Sequence, residues 1–99
     1  MSRQRVNFMS TGFTAESLRG ITTFVTTARS SSFTEAAEQL GITKSAVGKS
    51  VARLEERLGT RLFHRSTRKL SLTSDGEAYL ASCLSALEIL DSAENTLSR

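Results

Sequence analysis

Apolar residues first recur at helical steps in Leu18, Ile21, Phe24, Val25 and Ala28, and the pattern stops at Ser30-Ser31-Ser32, which predicts a helix from about Ser17 with a polar terminator. The residues before it hold no sustained period and mix Ser, Thr, Asn and Gly, so 1–16 reads as a flexible arm. Ser32-Phe33-Thr34-Glu35 has the spacing of a capping box, and a second, short helix follows with Phe33, Ala36, Ala37 and Leu40 on one face and Gly41 at its close. A third run, Val47, Val51, Leu54 and Leu58, begins after Thr43, a good N-cap, and ends before Gly59. Ile42 alone separates Gly41 from Thr43, so the second and third helices must cross steeply, with the small Ala37 where they approach. This is a helix-turn-helix pattern.

Beyond Gly59 the period changes. Leu70 and Leu72 alternate, Leu62-Phe63 precedes them, and Ser66-Thr67 lies between in a run of positive charge, which predicts a short two-stranded hairpin. Thr73-Ser74-Asp75 offers a new N-cap, Ser74 to Glu77 repeats the box spacing, and no proline follows, so one long helix closes the chain over 74–99. The expected fold is mostly α, with three helices and a two-stranded hairpin over 17–73 ahead of that helix. Within the closing helix Leu80, Cys83, Leu87, Leu90 and Leu97 fall at alternating three- and four-residue steps, with Leu84 beside them and Glu94 as the polar interruption. That is a coiled-coil seam and predicts a homodimer, although its first turns, around Tyr79 and Leu80, also suit packing on the first helix.

At 99 residues, 38% apolar and 23% charged, the chain suits one folded domain and not a disordered one. No apolar run approaches the ~18 residues of a membrane span, and the first twelve residues lack the apolar centre of a secretory signal, so a cytosolic chain with no membrane partner is expected. A single cysteine, Cys83, and a single histidine, His64, make neither an internal disulfide nor a zinc site. His64, beside the apolar pair Leu62-Phe63, reads as packed. There is no paired acid and base, no Gly-rich phosphate loop and no nucleophile with its base, so neither catalysis nor a cofactor is expected. A domain cut from an enzyme and a domain that binds only protein remain the rival readings.

Charge is distributed unevenly. Residues 1–43 balance four cations against three acids, residues 44–69 carry eight cations against two acids, and residues 70–99 hold one cation against five acids. The middle block suits a polyanion, and the acidic end would be repelled by one. On the third helix Val47, Val51, Leu54 and Leu58 fall within about 60° of one another, while Ser45, Lys49, Ala52 and Glu56 lie opposite. Small residues at Ser45, Ala46, Gly48 and Ala52 would allow close approach to base edges, and Lys44 and Lys49 can donate to guanine or phosphate oxygens. Gly48 is costly inside a helix, by about 1 kcal/mol against alanine, and close approach to a duplex would justify it. Arg65, Arg68 and Lys69 cluster around the hairpin tip, where long cations could reach phosphates or a narrow minor groove. Double-stranded DNA is therefore the expected partner.

With Phe24-Val25, Ser32-Phe33-Thr34-Glu35-Ala36-Ala37, Leu40-Gly41-Ile42-Thr43, Ser45-Ala46-Val47, Leu54-Glu55, Leu58-Gly59, Leu62-Phe63, Arg65, Leu72-Thr73 and Gly76-Glu77 in this order and spacing, the chain resembles the N-terminal DNA-binding domain of the LysR-type transcriptional regulators over about residues 17–98. The resemblance implies a winged helix-turn-helix dimer whose third helix enters the major groove, whose wing touches the minor groove, and whose linker helix pairs two subunits to regulate transcription in the bacterial nucleoid. It puts Lys44, Ser45, Gly48 and Lys49 at groove-reading positions with Thr43 at their head, Arg53 at a backbone position and Arg68 on the wing. The family often has glutamine where Lys44 stands, serine where Gly48 stands and arginine where Lys49 stands, so its base preference does not transfer. Its C-terminal effector-binding domain has no counterpart in these residues, which read as an isolated DNA-binding segment or a natural short form, with no effector expected to bind here.

Overall fold

The computed structural model describes residues 12–30, 32–65 and 69–98 and contains four helices: α1 (Ala15–Ala28), α2 (Phe33–Leu40), α3 (Lys44–Leu58) and α4 (Ser74–Leu97). A hydroxyl opens each one. The side chains of Thr14, Ser32, Thr43 and Thr73 accept hydrogen bonds from the backbone N–H groups of Ser17, Glu35, Ala46 and Gly76, at 2.9 to 3.1 Å. One boundary differs from expectation for this reason. Thr14 caps α1, so Ala15 and Glu16 are helical and the expected arm ends earlier; its residues 1–11 lie outside the described set. Thr73, not Ser74, caps α4.

Gly41 closes α2 with φ of 69°, and the Ile42 N–H returns to the Ala37 carbonyl at 3.1 Å, so the chain turns sharply into α3. A Cβ at Gly41 would meet no atom within 4 Å, leaving backbone strain as the whole penalty for a side chain there. Gly41→Ala is therefore expected to lower stability by about 1 to 2 kcal/mol without changing the fold, as read by urea denaturation and circular dichroism. A loss near zero would mean that the turn relaxes to another geometry.

α3 packs on both α1 and α2, and α1 also carries α4. The core they enclose holds Phe24, Val25, Ala36, Ala37, Val47, Val51, Leu54, Leu62, Phe63 and Cys83. Aromatic rings bind all its parts together. Phe24 of α1 lies 5.6 Å from both Phe63 and Tyr79, and Phe33 of α2 meets Phe63 edge-on at 6.1 Å.

The periodicity of α1 is only partly realised. Leu18 is exposed, whereas Thr23 and Thr27 are buried, because their hydroxyls donate to the carbonyls of Arg19 and Thr23 one turn earlier and leave methyl groups facing the core. Leu58, expected in the packed row of α3, is exposed at the end of that helix.

The expected two-stranded hairpin is not formed among the described residues. One antiparallel bridge joins Phe63 to Leu72, with the His64 N–H on the Ser71 carbonyl at 2.9 Å, and no strand extends from it. Leu62 and Phe63, adjacent in sequence, are both taken into the core, so this stretch breaks the alternation of faces that a strand needs. The tip, 66–68, lies outside the described residues. His64, expected to pack, is exposed.

α4 runs 24 residues, or about 36 Å, which is longer than the core is deep. Tyr79, Leu80, Cys83 and Leu84 pack against the core. Every described residue after Leu84 is exposed.

Candidate nucleic-acid interface

The buried row of α3, Val47, Val51 and Leu54, fixes the helix against α1 and α2. On its far side Ser45, Lys49, Ala52, Arg53 and Glu56 are exposed, with Lys44 exposed at its start. Gly48 is half-buried, and a Cβ placed there would meet no atom of the chain within 4 Å. Thr43 serves as the cap of this helix, its hydroxyl oxygen engaged by the Ala46 N–H at 3.0 Å. Arg53 and Arg57 stand with Arg19 along an open cleft of about 560 Å³ between α1 and α3.

Around the loop after α3 the structure divides the expected cations. Lys69 is exposed, and Arg68 lies outside the described residues. Arg65 is turned back, its guanidinium paired with the Glu55 carboxylate and donating to the Phe63 carbonyl at 3.3 Å. It therefore secures the base of the loop instead of extending from its tip.

In the sequence Glu55 counts as one of the two acids of the 44–69 block, and its role was missed. Glu55 is 6% exposed, and it accepts the N–H groups of Leu62 at 2.8 Å and Phe63 at 3.2 Å. A signal was present: on the helical wheel Glu55 stands about 80° from Val47, at the edge of the packed face, whereas Glu56 stands opposite.

The expected seam on α4 is split in two. Leu80, Cys83 and Leu84 face the chain's own core, which needs apolar cover over Phe24 and Phe63, while Leu87, Leu90 and Leu97 lie beyond it and are exposed. Burial pushes the Cys83 thiol and the Tyr79 hydroxyl above their ordinary values, so both stay protonated at neutral pH. No group of three His, Cys, Asp or Glu among the described residues could hold a metal ion, and no described helix is long and apolar enough to cross a membrane.

A capped three-helix unit with one basic helix face turned outward is the architecture of a helix-turn-helix protein. Residues 18–77 match the bacterial regulatory helix-turn-helix proteins of the lysR family, and the chain belongs to that family. It is 45% identical over 83% of its length to an HTH-type transcriptional repressor of Pseudomonas aeruginosa (strain UCBPP-PA14), of which it covers 26%. It is 44% identical over 78% of its length to the regulator CrgA of Neisseria meningitidis, again covering 26%. The chain thus spans about a quarter of the length of these relatives. Among solved structures it is similar to the DNA-binding domain of BenM in complex with catB site 1 DNA, with a TM-score of 0.76 and 29% identity over 83% of this chain and 92% of that one. It is also similar to the CbnR DNA-binding domain in complex with DNA, with a TM-score of 0.70 and 27% identity over 79% of this chain and 90% of that one.

Proposed function

We propose that the chain binds double-stranded DNA sequence-specifically as a homodimer and regulates transcription. The observation that carries this reading is the outward row of α3, small and cationic, standing opposite the buried row that locks the helix in place. Thr43, Lys44, Ser45, Gly48 and Lys49 are assigned to the major groove and Arg53 to the phosphate chain. Lys69 and Arg68, on the loop that serves as a wing, are assigned to the minor groove. Gly48 supports the assignment, since nothing inside the chain excludes a side chain there and the reason for a helix-weakening residue must lie in an external contact. The two structures of DNA-binding domains in complex with DNA, similar over most of this chain, support DNA as the partner. Leu87, Leu90 and Leu97 are assigned to pairing, because they are exposed apolar residues on a helix too acidic for a phosphate chain.

Selection of bound sites from random duplexes, followed by salt titration on the selected site, tests the reading. Lys49→Ala is expected to lose about 1 to 3 kcal/mol on that site and far less on scrambled DNA, with thermal stability kept. Arg53→Ala should weaken both and flatten the plot of log affinity against log salt by roughly one unit. Equal losses on selected and scrambled DNA would demote Lys49 to a phosphate contact. A chain that enriches no site and binds without salt dependence would overturn the reading.

A further inference from the structure

The Cα atoms of α3 and α4 nowhere approach within 8 Å of each other, and the side chains of Arg57 and Tyr79 reach across the gap. The segment Thr60–Phe63 spans it along the backbone. On the α3 side, one oxygen of Glu55 takes the N–H groups of Leu62 and Phe63, and the other takes Arg65, which returns a bond to the Phe63 carbonyl. On the α4 side, the Thr73 N–H donates to the Leu62 carbonyl at 3.0 Å, and the Thr73 hydroxyl donates to the Arg61 carbonyl at 2.8 Å. The Thr60 hydroxyl donates to Asp75 at 2.6 Å. Gly76 lies so close that a Cβ there would collide with the Leu62 carbonyl and come within 3.0 Å of the Leu72 side chain. The segment is thus a splint, bonded along one edge to the end of α3 and along the other to the first turn of α4.

A buried carboxylate held by three donors is rigid, since moving any donor away leaves charge uncompensated in a poorly solvated place. We propose that Glu55 is a positioning residue for DNA recognition: α1 packs on both α3 and α4, and by locking the splint to α3 Glu55 adds the second brace that holds the angle between reading helix and pairing helix, and hence the half-site spacing a dimer accepts. This rests on the reading that α4 pairs two copies. In such a dimer the two reading helices are related only through the two α4 helices, so slack between α3 and α4 in each chain becomes slack in the distance between half-sites. Glu55→Gln keeps the size of the side chain but offers a single acceptor oxygen and turns an N–H₂ toward Arg65 or the backbone donors.

The experiment uses the 99-residue chain, the isolated selected half-site, and a duplex series in which two half-sites are separated by spacers changed one base pair at a time. Wild type should prefer its best spacing over the neighbouring ones by about tenfold, and Glu55→Gln should reduce that preference to less than about threefold while staying dimeric by sedimentation and binding the half-site within about twofold of wild type. Thr60→Val, which removes the Thr60–Asp75 bond between the splint and α4 while keeping the Thr60 N–H on the Glu55 carbonyl, should shift the profile in the same direction by less. An unchanged spacing profile in a folded Glu55→Gln, or equal losses on half-site and full site, would overturn the proposal. Should Glu55→Gln not fold, Thr60→Val decides, and an unchanged profile in that variant overturns it. A monomeric wild type would show that the pairing reading itself is wrong, and the proposal falls with it.

Discussion

Leu90→Glu, made together with Leu87→Glu, is expected to yield a folded monomer that has lost about 10²- to 10⁴-fold in affinity for a full site while keeping its affinity for a half-site. Leu87 is 43% exposed and Leu90 58% exposed, and neither packs against the core, so a charge at either position leaves the chain's own core in place. In a pair of packed helices the same carboxylate would be buried without a partner, which neither helix can tolerate. The large factor is the effective concentration that one bound half-site confers on the other, and it vanishes with the pairing. Sedimentation at about tens of micromolar, alongside titration of both duplexes, reads the two effects separately. A wild-type chain that is already monomeric, or a variant that keeps full-site affinity, would sink the assignment of these leucines.

The second large effect is expected from Phe24→Ala, which should lower stability by about 3 to 5 kcal/mol, a large part of what a domain of this size has. Phe24 is wholly buried and its ring touches Phe63 and Tyr79, so truncation empties the place where α1, the loop after α3 and α4 meet. Thermal unfolding measures the loss, and binding of every duplex should fall together because α3 loses its support. This is the opposite of Lys49→Ala, in which recognition falls and stability stays. A loss below about 1 kcal/mol would mean that neighbouring side chains collapse into the space and that Phe24 is not the keystone of the core.

Legibility differed between elements for physical reasons. The turn between α2 and α3 was fully readable, since Ser32, Gly41 and Thr43 act on backbone groups no more than five residues away and such local bonds need no tertiary partner. Most of the outward and inward rows of α3 was readable as well, because a helical repeat places them, the exceptions being Leu58, exposed at the helix end, and Glu55, buried at the edge of the packed face. Among the described residues of the loop after α3 the expected hairpin is reduced to one antiparallel bridge: alternation at Leu70 and Leu72 suggests strands, yet the adjacent Leu62 and Phe63 are both buried, which a strand with one face to the core does not allow. The three-helix unit and its outward basic face were thus determined by the sequence itself, through capping hydroxyls, a left-handed glycine and the spacing of apolar residues. The tertiary structure decided the rest. It turned Arg65 inward onto Glu55, because a carboxylate at the edge of a packed face is desolvated by the fold and must be given donors. It also divided the leucines of α4 between core and solvent, because how far the core extends along a helix depends on what the other elements bring against it, and no local pattern records that distance.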